Sequence, residues 1–176
     1  MDLARDGQDV RLIRAPDLLG VLKKNGLTPF GLFAMPPCTH FAGSGARWWN
    51  GKGDKALLEA LSVTDACIRI EWVLGRHGLK WAAIENPVGR LSQFLGEPAM
   101  TIQPCDFGDP YTKRTCLWGD FNTDLAKKEV EPTEGSRMWN LTPSPDRAKL
   151  RSKTPEGFAK AFCEANKPQE GRKWAR

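Results

Sequence analysis

A cysteine that directly follows two prolines is the residue of this sequence best suited to nucleophilic chemistry. Cys38 comes after Pro36 and Pro37, and a segment with four glycines, "GSGARWWNGKG" (43–53), lies shortly after it. The prolines restrict the backbone before the thiol, whereas the glycines leave the chain after it conformational freedom. Because the thiolate is the nucleophilic form of cysteine, this pattern predicts a nucleophile at the mouth of a loop that moves.

A carboxylate is predicted at the same edge of the fold. The apolar runs "PFGLFAM" (29–35) and "KWAAIE" (80–85) have the composition of strands that are buried on both faces. Cys38 lies just beyond the first run, and Glu85 ends the second. Ligands of open parallel sheets bind beyond the carboxyl ends of the strands. If these two strands are neighbours, the thiol and the carboxylate face one crevice.

The wider pattern predicts an α/β fold with a mostly parallel sheet and crossover helices. The predicted elements are strands at 9–13, 29–35, 80–85, 99–104 and 115–119, and helices at 15–26, 55–78 and 155–166. Asp54 and Thr154 are expected to cap the second and third helices, and Gly26 is expected to end the first.

Composition and charge indicate one globular domain with a basic surface. The chain has 176 residues, of which 40% are hydrophobic, and its net charge of +5 favours polyanionic partners. Residues 137–176 hold ten Lys and Arg against four Asp and Glu. We expect a single domain over 1–166 and a basic, flexible tail over 167–176. No leader pattern or membrane-length apolar run is present in the sequence, so a cytoplasmic location and no membrane partner are expected.

The five cysteines stand at irregular spacing, which predicts reduced thiols rather than a disulfide framework. Four residues have the chemistry to ligate zinc together: Cys38, His40, Cys105 and Cys116. They lack the paired C-x-x-C spacing of structural zinc sites, so no metal site is predicted. Cys67 and Cys163 fall in helical patterns and are expected in the core.

Three segments, "PPCTH" (36–40), "IENP" (84–87) and "YTKRTC" (111–116), resemble the DNA (cytosine-5) methyltransferases in sequence and order. The chain is more similar still to a short, phage-type branch of that family, through "ENPVGRLS" (85–92) and "SKTPEGFAKA" (152–161). The resemblance spans about residues 9–165. It implies a Rossmann-like methyltransferase fold, double-stranded DNA as substrate, S-adenosylmethionine as methyl donor, and the cytoplasm of a bacterium or a phage-infected host.

The resemblance also implies a role for individual residues. Cys38 matches the cysteine that attacks carbon 6 of cytosine, and Glu85 matches the glutamate that protonates or hydrogen-bonds ring nitrogen 3. Asn86 is expected to brace the turn, and Arg114 to contact the base. Pro36 and Pro37 stand where the family meets its cofactor. A base inside a duplex is out of reach, so the target cytosine must be flipped out of the stack.

The segment after the thiol contains residues that suit contact with DNA. Arg47, Lys52 and Lys113 are expected to bind phosphates, and Trp48 and Trp49 to fill the gap left by the flipped base or to stack on bases. The alternative is a surface loop whose two indole rings pack against the domain, with Lys113 as part of a solvated basic pair.

One departure from the family limits these expectations. The glycine-rich turn and the acidic residue that hold the methyl donor precede the cysteine in the family, and no segment before 9–13 can serve as that turn. We therefore expect a fold truncated at its amino terminus, with a donor site that is lost or completed by a second chain. The leading hypothesis is a cytosine-5 methyltransferase, and the alternative is an inactive DNA-binding relic or decoy. A different cytosine modification by the same thiol addition is a third, weaker hypothesis.

Overall fold

One four-stranded sheet organises the part of the chain that the computed structural model describes, residues 9–168. Its strands are β1 (Gly31–Ala34), β2 (Trp81–Pro87), β3 (Met100–Ile102) and β4 (Thr115–Trp118). The helices are α1 (Ala15–Lys24), α2 (Trp49–Gly75), α3 (Ser92–Leu95), α4 (Arg137–Asn140), α5 (Arg147–Ser152) and α6 (Glu156–Asn166). The predicted tail lies outside the described residues except for Lys167 and Pro168. Within residues 9–168, no helix is both long and apolar enough to cross a membrane.

The spatial order of the strands is β1-β2-β4-β3. β1 and β2 are parallel, whereas β4 is antiparallel to both β2 and β3. The mixed α/β class is thus confirmed, but the prediction of a mostly parallel sheet is wrong for the strand pairings. A parallel pair needs a long crossover, which α2 supplies between β1 and β2. Residues 103–114 instead turn the chain back after β3, so that β4 inserts between β2 and β3.

The strand predicted at 9–13 is also wrong. Val10–Leu12 forms a short 3-10 turn in which the Asp9 side chain accepts a hydrogen bond from the Arg11 amide. Arg69 of α2 donates to the Ile13 carbonyl oxygen at 2.6 Å. Because the helix takes this backbone acceptor, the segment packs against α2 and does not extend the sheet.

The other predicted elements are present, with corrections at their ends. α1 is followed by Gly26, whose φ of +62° suits a helix stop. α2 contains a kink at Gly53 (φ 69°, ψ 175°), so its long continuous part begins at Asp54. Pro155, not Thr154, is the residue before α6.

Burial differs from prediction at two of these elements. β1 is an edge strand among the described residues and is only partly buried, because β2 is its one neighbour. Cys67 is buried as predicted, but Cys163 on α6 is exposed, since it faces away from the aromatic core of that helix.

Helices cover both faces of the sheet. On one face, Ala82 and Ile84 of β2 pack against apolar side chains of α1 and α2. On the other face, Ala83 packs with Phe158 and Phe162 of α6. The alternation of side chains along β2 therefore sends its residues into two different apolar layers, and this decides the surroundings of the residues at its carboxyl end.

Gly157 provides a test of how closely α6 approaches the backbone at Phe107, just after the 3-10 turn Pro104–Asp106. A Cβ atom at this position would lie 1.8 Å from the Phe107 carbonyl oxygen. Although alanine is the better helix former, we expect Gly157→Ala to lower the free energy of unfolding by about 3 kcal/mol, because backbone would have to move. Chemical denaturation followed by circular dichroism measures this change.

The matched control is Gly20→Ala in α1, where nothing lies within 4 Å of the new Cβ. Removal of a glycine from a helix interior stabilises it by about 0.5–1 kcal/mol, so this variant should be more stable than the parent. Equal effects at the two positions would show that α6 does not approach Phe107 as described.

Candidate active site

The thiol lies on a short turn directly after β1, which we call the thiol turn (residues 36–40). Cys38–His40 forms a single 3-10 turn, and the Cys38 carbonyl oxygen accepts hydrogen bonds from the amides of Phe41 (3.0 Å) and Ala42 (2.9 Å). Pro36 is buried, whereas Pro37 and Cys38 are exposed. The double proline thus joins the buried strand to an accessible thiol.

Asn86 connects this turn to the end of β2. Its side chain is 1% exposed, and Nδ2 donates to the Pro36 carbonyl oxygen at 2.9 Å. The register of the parallel pair places Ala34 opposite Ile84, the residue before Glu85. β1 and β2 are adjacent and parallel as predicted, and Cys38 lies beyond the end of β1. Glu85 lies within β2 and does not end it, because the strand continues to Pro87, and Asn86 holds the turn through its bond to Pro36.

The segment after the thiol is anchored at its start. Ala42 forms an isolated antiparallel bridge with Gly89. The Gly43 amide donates to the Val88 carbonyl oxygen at 2.8 Å. Since a Cβ at Gly89 would lie 1.9 Å from the Phe41 carbonyl oxygen, only glycine permits this approach. The chain after the thiol is therefore fixed to the segment after β2 up to residue 43, and Gly43–Trp48 continues as a 3-10 helix and not as an open loop.

Glu85 lies in an apolar part of the structure. It pairs with Leu117 of β4 and shares the sheet face of the α6 layer, whereas Asn86 points to the opposite face. Its carboxyl group has no hydrogen-bond partner among residues 9–168. Burial raises the pKa of Glu85 above its usual range, and the positive charge of Lys113 partly opposes the shift. A carboxyl that stays protonated can donate a proton to an acceptor nitrogen.

Two clefts in the described part of the chain share Cys38 in their lining. The first, the strand-end cleft, has a volume of about 400 Å³ and includes Pro87, Gln103, Lys113 and Arg114. The second, the loop cleft, has about 750 Å³ and lies between the segment 43–48 and α5. Glu85 lines neither cleft, so the thiol and the carboxylate do not share either of them as the sequence predicted.

Cations line both clefts. Arg47, Lys149 and Arg151 contribute to the loop cleft, and Arg151 donates to the Ser44 hydroxyl at 3.3 Å, which joins α5 to the segment after the thiol. Among the described residues that line the two clefts there is no Asp or Glu. The sequence predicts a basic carboxyl-terminal region, but Lys149 and Arg151 were not among the predicted site residues. No local sequence pattern shows that α5 reaches Cys38.

The predicted DNA-binding residues have different surroundings. Trp48 is 59% exposed, and the Arg47 guanidinium lies 5.0 Å from the centre of its ring. Trp49 is half-buried beneath Arg90, so the packing alternative describes it better. The Lys52 ammonium donates to the Thr39 carbonyl oxygen at 2.9 Å. This bond holds the Lys52 ammonium against the thiol turn.

The basic pair at 113–114 lies at the mouth of the strand-end cleft. Arg114 is exposed, and its carbonyl oxygen accepts a hydrogen bond from the Val88 amide at 3.2 Å. The Lys113 amide donates to Gln103 Oε1 at 3.0 Å, and its ammonium donates to the Lys153 carbonyl oxygen at 3.3 Å. The structure thus brings both residues to the cleft that Cys38 lines.

The other thiols are less exposed than Cys38, except Cys163 on α6, which is exposed but lines neither cleft. Cys67 and Cys116 are buried, and burial raises the pKa of both thiols, which disfavours the nucleophilic form. Within residues 9–168, no group of three or more His, Cys, Asp and Glu side chains is arranged to hold a metal ion. Cys38 is therefore the exposed thiol that a cleft presents to a ligand.

Comparison with known proteins leaves the resemblance to the cytosine-5 methyltransferases as a prediction. No family model matches the chain, and no curated protein matches it.

The raised pKa of Glu85 predicts a pH-dependent effect of Glu85→Gln on stability. The folded protein holds the proton more tightly than the unfolded chain, so the cost of the buried carboxylate is absent in acid. That cost grows as the pH rises above about 4.3, the usual value of an exposed glutamate. We expect the variant to be more stable than the parent at pH 8, with the difference disappearing toward pH 4, as measured by urea unfolding.

Glu97→Gln is the control, because Glu97 is exposed on the surface before β3. Its free energy of unfolding should stay within about 0.5 kcal/mol of the parent. A Glu85→Gln variant that is less stable than the parent at pH 8 would show that the carboxylate is favourably paired and not desolvated.

Proposed function

We propose that this chain is the thiol-bearing, DNA-binding part of a DNA cytosine-5 methyltransferase-like protein with a Rossmann-like fold. One observation carries the proposal: the buried hydrogen bond from Asn86 to Pro36 holds the Pro-Pro-Cys turn beside the Glu-Asn end of the neighbouring parallel strand. Two of the segments that carry the resemblance, "PPCTH" and "IENP", are separated by almost fifty positions in sequence. Their meeting at one sheet edge is what a shared active site requires.

The chemistry follows from the two side chains. The Cys38 thiolate forms a bond to carbon 6 of a flipped cytosine, and the electron pair of the ring double bond moves toward ring nitrogen 3. The resemblance gives Glu85 the protonation of that nitrogen, which neutralises the developing charge. The desolvation of Glu85 favours the protonated form that this role needs, but Glu85 lines neither cleft, so the step requires a base that reaches past the described lining. In this proposal Arg114, which lines the strand-end cleft, contacts the base.

The clefts do not fit the methyl donor. S-adenosylmethionine carries a sulfonium and an ammonium group, whereas the described lining offers cations and no carboxylate. Of the two prolines assigned to the cofactor, Pro36 is buried and Pro37 lies in the cation-lined loop cleft. We therefore derive no methyl-transfer step from these residues and propose that a second chain holds the donor. The same mismatch favours the alternative, an inactive DNA-binding relic or decoy.

Duplex DNA suits the surface around Cys38. Arg47, Lys149 and Arg151 provide positive charge for phosphates, and the exposed ring of Trp48 is available for stacking on a base or filling the gap in the duplex. We propose that the loop cleft follows the DNA backbone while the strand-end cleft receives the flipped base.

A duplex containing 5-azacytosine tests the thiol chemistry without the donor. Thiolate addition forms a bond to carbon 6, and the adjacent ring nitrogen takes up a proton, so a covalent adduct forms without methylation. We expect an adduct with the parent protein, none with Cys38→Ser, and slower formation with Glu85→Gln, as measured by denaturing electrophoresis and intact mass.

Cys163→Ser is the matched control, because Cys163 is the other exposed cysteine within residues 9–168 and lies on α6. This variant should form the adduct at the parental rate. If the parent binds the duplex but forms no adduct, the decoy hypothesis replaces the enzyme hypothesis.

Salt dependence tests the DNA-binding surface. The binding constant should fall steeply with salt, and Lys149→Met should reduce the slope of log K against log salt by about one unit, because one phosphate contact is lost. Lys23→Met, at the last turn of α1, is the control and should leave the slope unchanged. The measurement is fluorescence anisotropy of a labelled duplex, and equal slopes for all three proteins would exclude the loop cleft as the DNA site.

A further inference from the structure

The carbonyl oxygens of the thiol turn are held by side chains from outside the turn. Pro36 O accepts from Asn86, Thr39 O accepts from Lys52 at 2.9 Å, and His40 O accepts from Arg90 Nε at 2.7 Å. A single 3-10 turn has few hydrogen bonds of its own. Its shape therefore depends on these three donors, two of which are cations.

Arg90 is itself fixed in place. Its amide donates to the Phe41 carbonyl oxygen at 2.9 Å, and its guanidinium lies 4.6 Å from the centre of the Trp49 ring. It makes no ion pair within residues 9–168, and its Nη2 atom is buried without a hydrogen-bond partner there. The hydrogen bond from Arg90 Nε is thus made to the thiol turn. Stacking on Trp49 sets the plane of the guanidinium.

Lys52 approaches the same turn from another element. It lies in the first part of α2, before the kink at Gly53, and its side chain is half-buried. The ammonium spans thirteen positions of sequence to reach the Thr39 carbonyl oxygen. The two cations hold neighbouring carbonyls, one from the segment after β2 and one from the start of α2.

We propose that Arg90 and Lys52 are positioning residues that fix the thiol turn so that Cys38 meets a base at the angle required for attack. This inference rests on the proposed function, and it reassigns Lys52 from phosphate binding to the support of the nucleophile. Reactions between oriented groups are sensitive to displacement, since a misplacement of about 1 Å can cost about 100-fold in rate.

The experiment compares Arg90→Met, Lys52→Met and Arg90→Lys in two measurements. The first is the rate of 5-azacytosine adduct formation at saturating duplex, together with the dissociation constant of the duplex. The second is hydrogen exchange of the Phe41 and Ala42 amides, which bond to the Cys38 carbonyl oxygen and report on the turn without DNA.

We expect both methionine variants to form the adduct about tenfold to 100-fold more slowly, with the dissociation constant within about twofold of the parent. Exchange at the two amides should be faster in both. Arg90→Lys, which keeps the charge and can donate to His40 O, should recover part of the rate.

Arg69→Met is the matched control. Arg69 also donates to backbone carbonyls, but those of Ile13 and Arg11 belong to the segment before α1 and not to the thiol turn. It should lose stability while keeping the parental adduct rate, which separates positioning from general destabilisation.

The outcomes test the positioning role of Arg90 and Lys52 separately from the proposed function. A parental adduct rate in Arg90→Met overturns the positioning role. A higher dissociation constant in Lys52→Met that accounts for the whole effect of that substitution on the rate also overturns it. If the parent forms no adduct, the proposed function fails. The exchange measurement then decides separately whether Arg90 and Lys52 hold the turn, and unchanged exchange overturns that claim.

Discussion

The hydrogen bond from Asn86 Nδ2 to the Pro36 carbonyl oxygen is the interaction on which the candidate site depends. β1 has only four residues and pairs with β2 alone among the described strands. The strand pairing by itself leaves the chain after Ala34 unsupported. The buried amide of Asn86 extends the alignment of the two strands by two residues, up to Pro36, the first of the two prolines before Cys38. Loss of a buried hydrogen bond of this kind costs about 1–3 kcal/mol.

The alternation of side chains along β2 gives its last residues separate roles. Asn86 faces the α2 layer and supports the turn, whereas Glu85 faces the α6 layer next to Leu117. The apolar layer that completes the core is therefore also the environment that raises the pKa of Glu85. β2 therefore contributes apolar residues to the core and also carries a carboxyl group with a raised pKa, because neighbouring residues point to opposite faces of the sheet.

Charge is distributed unevenly around the thiol. The cations of the loop cleft come from the segment after Cys38 and from α5, and the described lining has no carboxylate to neutralise them. Such a surface attracts a polyanion and disfavours a cationic donor. The electrostatics thus support the DNA partner more strongly than they support methyl transfer by this chain alone.

The sequence by itself determined the features that local chemistry controls. The apolar runs before Cys38 and Glu85 predicted two strands correctly, and the glycine after α1 and the residues of α6 were recognisable from composition and spacing. The adjacency of the thiol and the Glu-Asn segment was also predictable, because parallel strands joined by a long helix bring their carboxyl ends to one edge.

Tertiary structure decided what long-range contacts control. Residues 10–12 form a turn and not a strand because Arg69, 56 positions beyond Ile13, takes a backbone acceptor there. The reversal of β4 follows from its insertion between β2 and β3, which no local pattern encodes. Lys52 binds Thr39 and Arg151 reaches Ser44 for the same reason. A side chain's partner depends on which distant segments the core brings within hydrogen-bonding distance, and spacing along the chain does not contain that information.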